Sequence, residues 1–210
     1  MALQILIADD HELFRSGLKQ LVVDTLGADQ VREADSLDKA IEVLTNEGAG
    51  DLILVDLRMP GMNGAESLAA LRDGFPLAKI AVVSAWEERA DILAALGAGV
   101  NGYVPKSLSS SEITAALRSI LEGRIYVPPA IGRREPGAGA MPPPDGGFAP
   151  DKLTLRQKEV LNELLKGQAS KEIARTLDIA EGTVKIHLAA IYRALGVRTR
   201  AEAIAKFRAG

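Results

Sequence analysis

The sequence predicts a doubly wound α/β domain joined by a linker to a small all-helical domain. Three observations carry this reading. Over residues 1–127, short apolar runs alternate five times with segments of helical spacing. Residues 128–150, PPAIGRREPGAGAMPPPDGGFAP, are dominated by Pro, Gly and Ala and offer almost nothing to build a core. Residues 151–210 carry helical patterns and no strand signal. The charge divides at the same places. It is -8 over 1–127, 0 over 128–150 and +5 over 151–210, so the net charge of -3 hides an acidic and a basic module.

The elements follow in order. The apolar runs Gln4–Ala8, Val31–Ala34, Leu52–Val55, Ile80–Ser84 and Gly102–Val104 read as strands. Between them, Leu13–Leu26 places Phe14, Leu18, Leu21 and Val22 on one helical face. Ser36–Asn46 does the same with Leu37, Ala40, Ile41 and Leu44. Glu66–Arg72, Glu88–Leu96 and Ser109–Leu121 complete the set, with Asp35-Ser36 and Ser109–Ser111 as N-cap regions. Strands alternating with helices imply a parallel sheet covered on both faces. Beyond the linker, Leu155–Leu165, Ser170–Leu177, Glu181–Leu195 and Arg200–Arg208 have helical spacing, punctuated by Gly167, Asp178 and Gly196.

Composition excludes several classes. Cysteine is absent and the two histidines, His11 and His187, lie far apart, which rules out disulfides, thiolate zinc sites and His-rich metal sites. No run approaches the ~18 apolar residues a membrane span needs. The start, MALQILIADD, lacks a basic n-region and a small-residue cleavage site, which argues against a secretory signal; a cytoplasmic protein is expected.

In a doubly wound sheet, ligands gather at the carboxyl ends of the strands. Here the first strand ends in Asp9-Asp10, the third in Asp56, the fourth in Ser84, and the fifth runs into Lys106. Adjacent strands lie roughly 5 Å apart, so the three carboxylates converge. They would repel one another unless a cation sat among them, and Mg²⁺ with oxygen ligands suits that role. Such a pocket suits a phosphoryl group, with Asp56 either holding the metal or acting as the nucleophile. A lone Asp at a strand end is ordinarily a cap or turn residue, and it is the combination that outweighs that reading. Tyr103 alone reads as a half-buried strand aromatic, and His11 as a helix-start residue with no chemistry. Pro60-Gly61 and Asn63-Gly64 read as turn formers.

Four motifs, IADDH at 7–11, LVDLRMPGMNG at 54–64, VVSA at 82–85 and GYVPKS at 102–107, together resemble the receiver domain of two-component response regulators over residues 1–125. The resemblance implies a flavodoxin-like strand order 2-1-3-4-5. It implies Asp56 as phospho-acceptor for a sensor histidine kinase, and Mg²⁺ held by Asp9, Asp10, Asp56 and the backbone carbonyl of Arg58. It implies Lys106 and Ser84 as partners of the phosphoryl group and Tyr103 as a switch that follows it. Receivers often carry Lys-Pro at the fifth strand end; here Pro105 precedes the lysine and Ser107 follows it, so a cis bond after the lysine is not expected.

In the basic segment, Lys171–Leu177 and Glu181–Leu195 are joined by three residues, a helix-turn-helix pattern. Val184, Leu188, Ile191 and Leu195 form the expected buried stripe, leaving Thr183, Lys185, Ile186, His187 and Arg193 on the exposed face. That face suits the major groove of double-stranded DNA, with Lys171, Arg193, Arg198 and Arg200 suited to phosphates. LTLRQKEVL, ASKEIARTLDIAEGTVKIHLAAIYRALGV and RTRAEAI resemble the LuxR/NarL-type DNA-binding domain over nearly all of 151–210. The resemblance implies that Lys185, Ile186, His187 and Ala189 face the groove, and that the last helix carries a dimerisation surface. Related domains often place a longer polar residue where Ala189 stands.

Together these features predict a phosphorylation-switched transcriptional regulator of the NarL/FixJ type. It is expected to form a homodimer on DNA when phosphorylated and to work with RNA polymerase; it is not expected to be an enzyme. Two rivals make opposite predictions. A phosphatase of the haloacid dehalogenase type usually has a second Asp two residues after its nucleophile, where this chain has Arg58. An adaptor in which the basic helices meet protein instead of DNA would show no sequence-selective DNA binding.

Overall fold

The computed structural model describes residues 2–131, 153–197 and 199–208. The first domain runs β1 (Gln4–Ala8), α1 (Glu12–Leu26), β2 (Gln30–Ala34), α2 (Leu37–Glu47), β3 (Leu52–Val55), α3 (Gly64–Gly74), β4 (Lys79–Ser84), α4 (Arg89–Gly97), β5 (Gly102–Pro105) and α5 (Ser110–Leu121). The five strands form one parallel sheet of order β2-β1-β3-β4-β5. Strand β3 sits between β1 and β4, so all four of its residues are buried, as a strand covered on both faces must be.

Alternation along the strands supplies two cores. Leu6, Ala8, Ile53, Val55, Ile80 and Val82 face the side covered by α2, α3 and α4. Ile5, Ile7, Leu52, Leu54, Ala81 and Val83 face α1 and α5. Each fully buried Leu or Ile contributes about 1.5–3 kcal/mol relative to exposure. Helix starts are specified locally. The Ser36 hydroxyl accepts from Lys39 N–H at 3.5 Å, and Ser109 with Glu112 forms a reciprocal capping box at α5. After α5 the chain turns back along the free edge of β5. Tyr103 N–H donates to Tyr126 O, and Tyr126 N–H to Asn101 O, both at 3.0 Å, so that edge is covered.

Of the expected linker, Pro129–Ile131 forms a short 3-10 turn, and the rest from residue 132 lies outside the described residues, as does Arg198. The second domain comprises α6 (Leu155–Leu165), α7 (Ser170–Leu177), α8 (Glu181–Leu195) and α9 (Arg200–Arg208). Its core joins Val160, Leu164, Ile173, Val184, Leu188, Ile191 and Ala203. The tight α7–α8 connection depends on Asp178 at φ 52°, the one non-glycine with positive φ among the described residues. An aspartate tolerates that left-handed position better than most side chains.

The two domains pack together. Helix α8 lies against α2 and α3, with Ile186 and Ala189 joining the core on that face of the sheet. The expectation that Thr183, Ile186 and His187 lie exposed is therefore corrected: Thr183 and Ile186 are buried against the first domain, and His187 is buried as well. The physical reason is visible in the sequence. Ile186, Ala189 and Ala190 form a second apolar strip on α8, and docking removes it from water.

Candidate functional site

The strand register builds an acidic pocket. Ala8 is opposite Val55, so the residues that follow, Asp9 and Asp56, leave the sheet side by side. Their backbones are fixed in turn: Asp9 N–H donates to Ala34 O and Asp56 N–H to Ala8 O, both at 2.9 Å. Ser84 is opposite Pro105, and Lys106 N–H donates to Ser84 O at 2.8 Å, which turns the lysine over the same strand ends. Asp9 and Asp56 are only 2% and 3% exposed. Lys106 Nζ bridges them, 2.6 Å from Asp9 Oδ2 and 2.7 Å from Asp56 Oδ2. Its stem rests beside the Phe14 ring, with the ammonium 4.6 Å from the ring centre.

Asp10 stands at the rim, and His11 stands with it. The His11 Nδ1 atom is 2.9 Å from Asp10 Oδ1, 3.3 Å from Asp9 Oδ1 and 3.9 Å from Asp56 Oδ2. His11 does hold the N-cap position of α1, but its side chain caps nothing and lies among the acids. Ligand atoms of Asp9, Asp10, His11 and Asp56 all lie within 4.8 Å of one another. Around the pocket, Arg58 N–H donates to Asp56 Oδ1 at 3.4 Å, and its guanidinium stacks 4.7 Å from the Trp86 ring centre. Ser84 is buried, and its hydroxyl accepts from Trp86 N–H at 3.4 Å. Tyr103 is fully buried instead of half-buried, and its hydroxyl donates to Trp86 O at 2.5 Å. Burial pushes its phenol pKa up. One ammonium thus faces two buried carboxylates and a third at the rim. This oxygen-rich donor set with a positive deficit fits a hard divalent ion.

A second cluster lies where α8 meets the first domain. Lys185 Nζ pairs with Asp38 Oδ2 at 2.7 Å, which raises the lysine pKa. The Thr183 and Ser67 hydroxyls approach to 3.5 Å in a buried contact. Arg193 stacks 4.4 Å from the Phe75 ring centre. Gln157 Nε2 donates to Asp73 O at 3.4 Å. Gly182 lies directly on the loop that follows Asp56: a Cβ there would fall 2.5 Å from Gly61 O and 3.0 Å from Leu37 Cδ2. His187 is 3% exposed with Nδ1 unpartnered, and burial lowers its pKa to about 4. Lys171 is exposed. Arg200, expected at phosphates, instead donates to Gln168 O at 2.7 Å and Leu164 O at 3.4 Å, tying α9 to α6 and the loop after it. Sequence reasoning missed Asp38, Ser67, Phe75 and Gly182, because contacts between separate domains leave no local pattern. It missed His11 because a helix-start position explained that residue too easily.

Comparison with known proteins agrees with both halves. Residues 5–118 match the response regulator receiver domain family, and residues 151–207 match the bacterial regulatory proteins of the luxR family. The chain is 40% identical over 205 residues to the glycerol metabolism activator of Pseudomonas putida, covering 96% of this chain and 93% of that one. It is 35% identical over 207 residues to the nitrate/nitrite response regulator protein NarP of Escherichia coli, covering 97% and 94%. A LuxR-family two-component response regulator from Aurantimonas sp. superposes with a TM-score of 0.58 at 30% identity, covering 63% of this chain and 94% of that one. The RcsB response regulator of Salmonella typhimurium shares the fold over 100% of this chain and 99% of its own, with a TM-score of 0.58 at 21% identity. This chain is a two-component response regulator of the NarL type, a receiver domain joined to a LuxR-family DNA-binding domain.

Proposed function

We propose that Asp56 accepts a phosphoryl group from a sensor histidine kinase in the cytoplasm and that this event releases α8 to bind the major groove of DNA. In the transfer, an Asp56 carboxylate oxygen forms a bond to phosphorus as the phosphorus–nitrogen bond to the kinase histidine breaks, and the electron pair leaves with the imidazole. Asp9, Asp10, Asp56 and the Arg58 carbonyl would hold Mg²⁺, which when bound offsets charge on the phosphoryl oxygens. Lys106 and the Ser84 hydroxyl turn to phosphoryl oxygens. Movement of Ser84 disturbs Trp86, whose carbonyl holds the Tyr103 hydroxyl.

The observation that carries this reading is the seat of α8. Thr183, Lys185, Ile186 and Ala189, all expected at base edges, are held by the receiver, and Gly182 rests on Gly61, in the loop that leads away from Asp56. A change at the acceptor therefore has a short route to the DNA-binding helix. Population shift suffices: closed and open forms exchange, and phosphorylation favours the open form. Once released, two copies would join through α9 on half-sites related by two-fold symmetry, beside RNA polymerase. The test is Asp56→Asn. The variant is expected to take up no phosphate from a phosphodonor and to bind operator DNA at the level of unphosphorylated wild type. Binding and dimerisation equal to the phosphorylated protein would overturn the switch.

A further inference from the structure

We propose that Arg15 is a positioning residue for phosphoryl transfer: its guanidinium fixes the Asp9–Asp10 peptide, and with it two carboxylates that would hold the divalent ion. The inference rests on the reading of the pocket as the divalent-ion site, and it concerns a residue outside the ligand set. The ladder from β1 to its neighbours ends at Ala8, which is opposite Ala34 and Val55. One residue on, the Asp9 N–H still donates to Ala34 O at 2.9 Å. The Asp9 carbonyl lies past the last pair, and Arg15 takes it: Nη1 donates to Asp9 O at 2.7 Å. That carbonyl shares one rigid plane with the Asp10 amide. A single contact therefore sets the direction in which Asp10 leaves the strand, and it holds Asp9 from the other side.

Arg15 is itself held. It stands in the first turn of α1, so its side chain runs back toward the helix start. Its Nε donates to Glu33 Oε2 at 3.3 Å, and Glu33 directly precedes Ala34 in β2. Lys19 Nζ donates to the other Glu33 oxygen at 2.6 Å, and Lys19 with Arg15 holds the Glu33 carboxyl below the usual carboxylate range. The end of β2 thus grips the Asp9 backbone twice, its N–H through Ala34 and its carbonyl through Glu33 and Arg15. The Arg15 side chain is 15% exposed and that of Lys19 46%, so the two cations on Glu33 differ: only Arg15 reaches the pocket. A guanidinium fork can serve Glu33 and Asp9 O together, which a single ammonium does poorly. The charge of Arg15 works against a metal ion, since a cation beside the pocket repels another. Positioning and plain electrostatics therefore predict opposite signs when Arg15 is neutralised.

The test measures ion binding by the full-length protein. Free Mn²⁺ is counted by its electron spin resonance signal, and Mg²⁺ affinity is read by competition. Arg15→Met is expected to bind both ions about tenfold more weakly, although it removes a repelling charge. Lys19→Met takes an equal charge from Glu33 without touching Asp9, and it is expected to bind within about twofold of wild type. The Mg²⁺ concentration giving half-maximal phosphorylation by acetyl phosphate should rise in Arg15→Met by the same factor as the binding constant, with the rate at saturating Mg²⁺ little changed. Ion binding by Arg15→Met at or above wild-type strength overturns the inference and leaves Arg15 a structural tie between α1 and β2. A fall in the saturating rate with ion affinity unchanged overturns it too. If urea unfolding shows that Arg15→Met does not fold, Arg15→Lys decides in the same way; it keeps the charge and is expected to bind about threefold more weakly. Failure of the wild type to bind either ion overturns the reading of the pocket as well.

Discussion

Lys106 stands between two carboxylates that water barely reaches. Removing it leaves Asp9 and Asp56 facing each other without a counter-charge, which costs about 3–5 kcal/mol for a buried pair broken on one side. Lys106→Met keeps the stem beside Phe14, so urea unfolding of that variant isolates the charge; Asp56→Asn in the same background is expected to restore part of the loss. His187 makes a second prediction at this scale. Its pKa is about 4 in the fold against 6.5 for the free side chain, because burial and the nearby Arg156 disfavour the charged form. The unfolded chain therefore takes up the proton first. The stability His187 contributes is complete above pH 6.5 and is lost as the pH falls toward 4. Between pH 7 and 5 the loss is about 2 kcal/mol, and His187→Leu is expected to remove it from the urea unfolding profile. The acids and the lysine were legible because strand ends and motif spacing are local facts. The burial of His187 was not legible, since a polar residue next to a helical stripe reads equally well as exposed.

Helix α8 serves two partners, and its sequence carries both. Val184, Leu188 and Ile191 hold it in its own domain, and that stripe was readable from spacings of four and three. Ile186, Ala189 and Ala190 form the other strip, which the expectation of a groove-facing surface obscured. The strip gives α8 its seat on α2 and α3, and Gly182 permits the close approach at its first turn. Gly182→Ala is tolerated by a helix but places a methyl group against Gly61 O. The variant is expected to keep its fold and open the interface, raising DNA binding without phosphorylation; unchanged DNA binding would show that Gly182 does not control the seat. Lys185 is paired with Asp38 here, and in the proposed switch it would exchange that partner for DNA. With the phosphoryl mimic present, Lys185→Ala should weaken specific binding by about 1–3 kcal/mol if it reads a base. An equal loss on every sequence, with a shallower salt slope, would place it on phosphate.

At the scale of the molecule, the strand order comes from the resemblance of the strand-end motifs, while the parallel sheet and the two domains follow from patterns visible along the chain: five alternating units, a Pro/Gly-rich break, and a basic helical end. Their docking does not follow from those patterns, because it depends on the fit of surfaces far apart in sequence. In the proposed switch, that docking joins the chemistry to the output. The pocket sits at one end of the β3–α3 loop, and helix α8 rests on the same loop. If a phosphoryl group at the pocket favours DNA binding, DNA binding must favour the phosphorylated pocket to the same degree, by linkage. The most direct test is selection of genomic DNA fragments by the full-length protein, with and without beryllofluoride and Mg²⁺ as a phosphoryl mimic. The account predicts enrichment of defined sites that rises when the mimic is present. Equal enrichment in both states would contradict it.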